Sequence, residues 1–250
     1  MRLISKLRDA IPVARVIAEG HAAGLKIAAR RADPNFARGT YEQPLQDVVA
    51  AELGPGDVFY DIGANIGFFS LIAARRVGAQ GHVYAFEPVP SNAAVIARHA
   101  ELNGFATIEV FNKAVGAQTG RAELRLAHHI GGAVLASAGE PPDPRGRIAV
   151  DIVALDDFIK QRKLQPPKLV KIDVEGAELD VLRGMRQTLN ADRPKVVYEI
   201  DDVSREGLER KAVKIAAFLA AVGYVLTPLP AAYPNDDWQV AHVLARPGAK

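Results

Sequence analysis

Cysteine is absent from the 250 residues, which excludes disulfide bonds and thiolate metal sites. No apolar run reaches the length of a membrane span, and the N-terminus lacks the apolar block and cleavage site of a signal peptide. Aromatic residues make up only 6%, and none lies among the basic residues of the first 31 positions, so no stacking platform for single-stranded nucleic acid is indicated. These absences favour a cytoplasmic protein that has no nucleic-acid partner.

The composition is otherwise that of an ordinary globular protein. Apolar residues make up 49% and charged residues 24%, and the net charge is only +2. This length and composition predict one α/β domain over residues 39–250, preceded by a helical extension over residues 1–38.

Positive charge is concentrated at the N-terminus. Residues 1–31 carry seven basic side chains against two acidic ones, and apolar residues recur at helical spacing over residues 1–30. The favoured interpretation is a capping helix that packs on the domain or on a second copy in a homodimer, because Gly20 and Gly24 weaken the helix and no aromatic anchor is present. The alternative is a basic helix that lies on an acidic membrane surface.

Strand and helix patterns alternate along most of the chain. Val58–Ile62 is a short apolar run, followed by a Gly-rich turn and then by helical spacing to residue 77. Further strands separated by helical patterns indicate a parallel sheet with crossover connections. A final pair of strands would add one antiparallel strand to it. These later strands are predicted at residues 82–86, 107–111, 169–174, 195–200, 224–229 and 238–244.

The alternation is interrupted between residues 116 and 153. Two strand patterns, at residues 121–127 and 148–153, have no helix between them, and the Pro- and Gly-rich segment at about 128–147 is expected to be a mobile loop. His128 and His129 in this loop are candidates for a general base, although a surface histidine pair is more often solvated. Beyond it, Asp156 is expected to cap a short helix.

Polar residues follow the predicted parallel strands, at the edge where open α/β sheets bind their ligands. They are Asp61, Glu87, Asn112 with Lys113, Asp173 and Glu199. Glu87 lies 20 residues after Gly67, the distance at which an acidic side chain accepts both ribose hydroxyls of a nucleoside bound over the first turn.

The first turn reads Asp61-x-Gly63-x-Asn65-x-Gly67. Such a turn directs backbone N–H groups and a helix N-terminus at a ligand. It lacks the second close glycine that a pyrophosphate needs, so a nucleoside without phosphates is favoured over a dinucleotide.

Five segments, taken in order, resemble the FkbM family of S-adenosylmethionine-dependent methyltransferases. They are Asp-Ile-Gly-Ala-Asn-Ile-Gly from Asp61, Val-Tyr-Ala-Phe-Glu-Pro from Val83, Asn-Lys-Ala-Val-Gly from Asn112, Leu-Asp-Asp-Phe from Leu155 and Lys-Ile-Asp-Val-Glu-Gly-Ala-Glu from Lys171. The resemblance implies a class I methyltransferase fold, which is α/β and Rossmann-like. Its seven-stranded sheet has the order 3-2-1-4-5-7-6, with strand 7 antiparallel and helices on both faces.

The same resemblance implies a site for S-adenosylmethionine. The segment Gly39-Thr-Tyr-Glu42 is also similar to the family and places Glu42 among the cofactor-binding residues. The implied roles of the others are these: the methionine part is lined by Asp61, Gly63, Asn65 and Gly67, the ribose is held by Glu87, the adenine lies beside Asn112 and Lys113, and the sulfonium lies near Asp173.

The predicted reaction is methyl transfer to an oxygen, because family members act on hydroxyls of sugars, polysaccharides and natural products. The expected catalytic residues are Asp173 as the base, with Glu175 and Glu199 behind it. This acidic rim suits a small-molecule or carbohydrate acceptor with several hydroxyls. It would also suit Mg²⁺, although the sequence assigns no side chain as a metal ligand.

Two other functions remain open from the sequence. One is an NAD-type oxidoreductase built on the same strand, turn and helix, against which the missing glycine and the antiparallel final hairpin count. The other is a non-catalytic cofactor-binding or scaffold protein whose N-terminal helix lies on a membrane surface.

Overall fold

A computed structural model describes residues 14–28, 34–127, 133–135, 144–233 and 239–249. The strands in these ranges are β1 (Arg15–Val16), β2 (Lys26–Ile27), β3 (Val58–Ile62), β4 (His82–Phe86), β5 (Ile108–Phe111), β6 (Ala114–Val115), β7 (Gly120–Ala127), β8 (Ala133–Leu135), β9 (Pro144–Val153), β10 (Leu169–Ile172), β11 (Lys195–Asp202), β12 (Tyr224–Pro228) and β13 (Gln239–Pro247). The helices are α1 (Pro34–Arg38), α2 (Gln43–Glu52), α3 (Phe68–Val77), α4 (Pro90–Asn103), α5 (Leu155–Arg162), α6 (Glu178–Gly184), α7 (Arg186–Ala191) and α8 (Arg205–Ala221). None of these helices combines the length and the apolar character needed to cross a bilayer.

The core is a seven-stranded sheet in the order β12-β13-β11-β10-β3-β4-β5. Strands β3, β4, β5, β10 and β11 are parallel, and β13 runs antiparallel to both β11 and β12. When these seven strands are numbered 1 to 7 in chain order, the sheet order is 3-2-1-4-5-7-6 with strand 7 antiparallel, which confirms the predicted fold.

Alternate residues of the central strands face two separate hydrophobic clusters, as the two-residue period of a strand requires. Tyr60, Ile62 and Val170 belong to the cluster that also holds residues of α5, α6 and α8. Phe59 and Leu169 belong to the cluster with α2 and α3. Burial on both faces explains why Val58–Ile62 reads as a continuous apolar run apart from Asp61.

The predicted helix over residues 1–30 is wrong for residues 14–28, which form a small antiparallel hairpin of β1 and β2. Gly20 and Gly24 adopt left-handed φ angles of 71° and 83° and form the hairpin turn, a conformation that glycine tolerates best. Ile17 and Leu25 pack into the same cluster as α2 and α3. These two apolar side chains are therefore part of the core of the domain. Residues 1–13 lie outside the described residues.

His99 of α4 ties this N-terminal segment to the turn after β3. Its buried Nδ1 donates to the carbonyl oxygen of Ile66 at 2.8 Å, and its Nε2 accepts from the backbone N–H of Ala28 at 2.8 Å. Burial lowers the pKa of His99, so the neutral ring bridges both groups. Residues before position 39 thus contribute to the core of the domain. The domain boundary at residue 38 stays a prediction.

The interruption after residue 113 forms a second sheet of four strands, in the order β6-β9-β7-β8. Both predicted strand patterns are confirmed, although β9 begins at Pro144, within the segment expected to be loop. Strands β7 and β9 pair antiparallel over their length. His128, His129 and most of the predicted mobile loop lie outside the described residues.

Asp156 does not cap its own helix, whose N-cap position is Ala154 without a side-chain cap. Its carboxylate instead accepts the backbone N–H groups of Gln187 and Thr188 at 2.8 and 2.9 Å, and the Thr188 hydroxyl at 2.7 Å. It therefore caps the start of α7, which the fold brings beside α5.

Asp156→Asn is expected to lower the free energy of unfolding by about 1–2 kcal/mol, because the amide group can accept through only one oxygen. Chemical denaturation measures the loss. Asp157→Asn is the matched control, since the Asp157 side chain is exposed on the same helix, and a change within about 0.5 kcal/mol is expected. Equal effects of the two substitutions would contradict the capping role.

Candidate active site

The turn between β3 and α3 presses against the end of β10. Gly63, Asn65 and Gly67 all adopt left-handed φ angles, of 75°, 50° and 81°. A Cβ atom on Gly63 would lie 1.7 Å from the carbonyl oxygen of Asp173, so only glycine fits there. The turn is therefore shaped by its contact with the neighbouring strand end.

The backbone N–H groups of this turn are largely used within the protein, contrary to the expectation that they point freely at a ligand. Gly63 and Ala64 both donate to the carbonyl oxygen of Phe86, at 3.0 and 3.1 Å, and Gly67 donates to Ala64. The N–H of Asn65 donates to Oε2 of Glu87 at 2.8 Å. The turn is thus bound to the end of β4.

Glu87 lies directly beside the turn, as its spacing predicted. Its carboxylate is buried, accepts the N–H of Asn65 and of Val89, and lies 3.4 Å from Nδ2 of Asn92. The Asn112 amide donates to the carbonyl oxygens of Glu87 and Pro88 and joins the ends of β4 and β5. Burial raises the pKa of Glu87 to about 7, against these hydrogen bonds.

The affinity for S-adenosylhomocysteine is expected to rise about tenfold or more between pH 5.5 and 7.5 and then to level off. Ribose hydroxyls would donate to the ionised Glu87 carboxylate and lower its pKa from about 7, so binding releases a proton in this window. The effect on the stability of the free protein has the opposite sign, because the raised pKa favours the protonated form and stability falls as pH rises through 7.

Calorimetric titration with S-adenosylhomocysteine at several pH values measures this dependence. In Glu87→Gln the affinity should be lower and independent of pH over this range. Glu101→Gln is the control, because Glu101 is exposed and pairs with Arg98 on α4. A pH profile that persists in Glu87→Gln would show that another group carries it.

A row of polar side chains crosses the face of the sheet that carries α3. Asp61, Lys171, Glu199 and His242 occupy neighbouring strands, with Asp61 opposite Lys171 and Glu199 opposite His242 in the register. All but Glu199 are fully or almost fully buried. Parallel alignment and the period of two therefore bring together residues that are far apart in sequence.

Asp61 lies beneath the turn and not on its ligand-facing side. Its carboxylate accepts from the Ser70 hydroxyl at 2.6 Å and lies 3.5 Å from the ammonium group of Lys171. That ammonium group also donates to the carbonyl oxygen of Gly63 at 2.9 Å and to Oδ2 of Asp173 at 3.0 Å. Lys171 is the buried cation that joins the turn to Asp173, and two carboxylates hold its pKa above the ordinary value despite burial.

Three carboxyl groups lie between the end of β10 and the first residue of α6. Asp173 is partly exposed, while Glu175 has a left-handed φ angle of 52° and Glu178 accepts the N–H of Gly176 at 2.8 Å. Burial, followed by repulsion from Asp173, raises the pKa of Glu175 to about 9, and burial raises that of Glu178 to about 7. Glu175 is therefore mainly protonated at neutral pH, because burial beside other carboxylates disfavours its charge.

Glu42 and Glu199 both approach His242. Oε2 of Glu199 lies 2.7 Å and Oε2 of Glu42 lies 3.6 Å from Nε2 of His242. The Tyr233 hydroxyl donates to Oε1 of Glu42 at 2.6 Å. Burial opposes the charged imidazole, but the two carboxylates raise the pKa of His242 above its ordinary value.

A family model, the methyltransferase FkbM domain, matches residues 61–226. The chain belongs to the FkbM methyltransferase family. The match covers the turn, Glu87, the small sheet and the Asp173 loop, while Glu42, Tyr233 and His242 lie outside it.

Curated relatives share about a third of their residues or fewer with this chain. The 31-O-demethyl-FK506 methyltransferase FkbM of Streptomyces tacrolimicus is 33% identical over 183 residues, which cover 61% of this chain and 68% of that protein. The hexuronic acid methyltransferase AglP of Haloferax volcanii is 26% identical over 150 residues, which cover 60% of this chain and 59% of that protein. The match therefore spans only about three-fifths of the length of AglP.

A crystal structure of the methyltransferase FkbM from Methylobacillus flagellatus has a TM-score of 0.51 and 17% identity, and the match covers 86% of this chain and 56% of that one. A putative rRNA methylase from Clostridium thermocellum has a TM-score of 0.53 and 12% identity, with coverage of 82% and 93%. These likenesses establish the class I methyltransferase fold.

Three residues of this site were not predicted from the sequence: Lys171, Tyr233 and His242. Lys171 is the first residue of the last segment that resembles the family, but no role was predicted for it. His242 shares its strand face with the buried Leu244, so an isolated histidine on the core face was its only signal. The ammonium group of Lys113 pairs with Asp151 of β9 at 3.2 Å, and its place beside the adenine stays a prediction.

The small sheet of the FkbM domain packs beside the acidic loop. Leu124 of β7 and Val150 of β9 share a hydrophobic cluster with Ala177, and Val174 packs against it. The segment that interrupts the alternation therefore forms a wall next to Asp173 and Glu175.

Proposed function

We propose that this protein is an S-adenosylmethionine-dependent O-methyltransferase that acts on a hydroxyl of a sugar, a polysaccharide or a small natural product. The observation that carries the proposal is the joining of Glu87 to the turn at Asn65, with the Asp173 loop on the other side of the same turn. Glu87, the buried carboxylate for the ribose hydroxyls, and Asp173, the carboxylate for the reacting group, thus lie on either side of the turn between β3 and α3.

The residues present fit a nucleoside cofactor without phosphates. Glu87 would hold the ribose, with Asn112 next to it, and Gly63, Asn65 and Gly67 would face the methionine part. Asp61 supports this site through Ser70 and Lys171 and does not itself face the cofactor. The bound cofactor supplies an activated methyl group on a sulfonium.

Asp173 is the proposed base. Asp173 would take the proton of the acceptor hydroxyl while the oxygen receives the methyl group that the cofactor would supply, with S-adenosylhomocysteine as the other product. Lys171 holds the Asp173 carboxylate at 3.0 Å, and Glu175 and Glu199 lie behind it with raised pKa values that favour the neutral carboxyl group. Positioning of the hydroxyl in line with the sulfur supplies much of the acceleration.

The names of the relatives support a hydroxylated acceptor. AglP is named for hexuronic acid, and NoeI of Sinorhizobium fredii, 28% identical over 155 residues that cover 56% of this chain and 61% of NoeI, is named as a 2-O-methyltransferase. Several carboxylates near Asp173 can accept hydrogen bonds from a polyhydroxylated molecule. Homodimerisation and contact of residues 1–31 with a membrane surface stay predictions.

A methyl-transfer screen with labelled S-adenosylmethionine over sugars, nucleotide sugars, uronic acids and small polyols tests the proposal. Label is expected on a hydroxyl oxygen of at least one class. Binding of S-adenosylhomocysteine and NAD is measured in parallel, because preference for NAD would support the oxidoreductase alternative. Binding of S-adenosylhomocysteine with no transfer to any acceptor class would favour a non-catalytic protein.

A further inference from the structure

Two buried side chains and one partly buried side chain from distant parts of the chain meet at one point beside the Asp173 loop. Glu42 immediately precedes α2, Glu199 belongs to β11 and His242 to β13. One carboxylate oxygen of each glutamate and one imidazole nitrogen all lie within 4.8 Å of one another. This arrangement is called the Glu-Glu-His cluster below.

The polar atoms that face the centre of this cluster have few partners outside it. Oε2 of Glu42 is buried and has no hydrogen-bond partner among the described residues, since Nε2 of His242 lies 3.6 Å away. Oε2 of Glu199 and Nε2 of His242 are buried 2.7 Å apart and have no other described partner. Glu42 and His242 are each only 3% exposed. A buried carboxylate oxygen without a partner is rare, and its position beside two further ligand atoms indicates a missing ligand.

The charge of the cluster calls for a cation. Two carboxylates face one imidazole, and Asp173 adds negative charge close to Glu199. A protonated imidazole would offset two carboxylates only in part, whereas a divalent cation would offset both. Lys171 cannot supply this charge fully, because Asp61 and Asp173 already hold its ammonium group.

We propose that the Glu-Glu-His cluster binds a divalent transition-metal ion, with Glu42, Glu199 and His242 as its three protein ligands. One imidazole and two carboxylates suit Zn²⁺, Mn²⁺ or Fe²⁺, whereas Mg²⁺ prefers oxygen ligands alone and keeps several waters. The Mg²⁺ expected from the acidic rim is therefore replaced by a softer ion. Three protein ligands leave a coordination position open for an oxygen atom.

The surroundings of the cluster support ligation. The Tyr233 hydroxyl donates to Oε1 of Glu42 and leaves Oε2 free to bind, which is the role of a partner behind a metal ligand. The imidazole of His242 must lose its proton, and the 2.7 Å separation from Glu199 must widen to roughly 3.3 Å, as expected for two ligands about 2.0 Å from one ion.

A consequence for catalysis rests on the proposed function. An acceptor hydroxyl at the open position would become more acidic and would lie on the side of Asp173 that faces Glu199. As in the proposed function, the proton would pass to Asp173 and the methyl group to the hydroxyl oxygen. The metal site itself does not depend on this role.

The test uses the full-length untagged protein, treated with a chelator, dialysed and titrated with Zn²⁺, Mn²⁺ and Mg²⁺. One equivalent of Zn²⁺ or Mn²⁺ is expected to bind at least about 100-fold more tightly than Mg²⁺. His242→Ala and Glu199→Gln should each weaken binding by about 10- to 100-fold or more. Addition of Co²⁺ should give a visible absorption band that His242→Ala removes.

His21→Ala is the matched control, because His21 also faces a carboxylate, Asp47 at 2.8 Å, but on the exposed surface. It should leave metal binding unchanged. If His242→Ala does not fold, His242→Asn replaces it, with thermal melting to confirm the fold. Absence of stoichiometric binding, or equal affinity in wild type and His242 variants, would overturn the metal site.

Binding of S-adenosylhomocysteine to the same samples separates the two proposals. Cofactor binding and methyl transfer in protein that binds no metal would overturn only the metal site. Stoichiometric metal binding without any cofactor binding would support the metal site and overturn the proposed methyltransferase function.

Discussion

Asp173→Asn is expected to lower the rate of methyl transfer by about 10²-fold or more, while the affinity for S-adenosylhomocysteine changes less than about tenfold. The asparagine oxygen can still accept a hydrogen bond from Lys171, so the buried ammonium group keeps Asp61 and one neutral partner. The variant therefore removes the base and preserves the geometry around it.

Steady-state kinetics on the acceptor identified by the screen, together with calorimetry for the cofactor product, measures the two effects separately. Asp180→Asn is the control, since Asp180 is an exposed carboxylate on α6 that pairs only with Arg183 among the described contacts. Equal losses in rate and in cofactor affinity would make Asp173 a cofactor-binding residue and remove its role as a base. Glu175→Gln would then be the next variant to measure.

Gly63→Ala is expected to lower the free energy of unfolding by about 2–4 kcal/mol and to abolish measurable cofactor binding. The added methyl group would lie 1.7 Å from the carbonyl oxygen of Asp173, and the φ angle of 75° is unfavourable for alanine. Relief of the contact would separate the turn from the end of β10, where the N–H of Asp173 donates to Ile62 at 3.0 Å.

Gly104→Ala separates the cost of the φ angle from the cost of the contact. Gly104 has a φ angle of 69°, but a Cβ atom there would meet nothing within 4 Å. A loss of only about 1 kcal/mol and unchanged cofactor binding are expected. If the two glycine variants lost the same stability, the close approach of the turn to β10 would carry no energy.

Local sequence patterns predicted the central strands well. Strands β3 and β4 have the predicted bounds, because short apolar runs between glycine-rich turns have few other buried conformations. The position of Glu87 was also predictable, since a strand, a turn, a helix and a second strand fix how far along the chain the neighbouring strand end lies. Its hydrogen bond to Asn65 agrees with that spacing.

The N-terminal segment shows where local patterns fail. Helical spacing of apolar residues over residues 14–28 was outweighed by two glycines with positive φ angles and by backbone hydrogen bonds to α1, such as that from Glu19 to Arg38. The prediction that Asp156 caps its own helix was wrong for a related reason, because the helix that it does cap begins some 30 residues later. A local sequence window contains no information on such partners.

The sequence by itself determined the family, the order of the sheet and the residues that follow its parallel strands. Those features depend on local backbone preferences and on spacing along the chain. Only the tertiary structure decided that Lys171 lies between Asp61 and Asp173, and that Glu42 and Glu199 meet at His242. The physical reason is register: β11 and β13 pair Glu199 with His242 across more than 40 residues, and no local pattern sets that pairing.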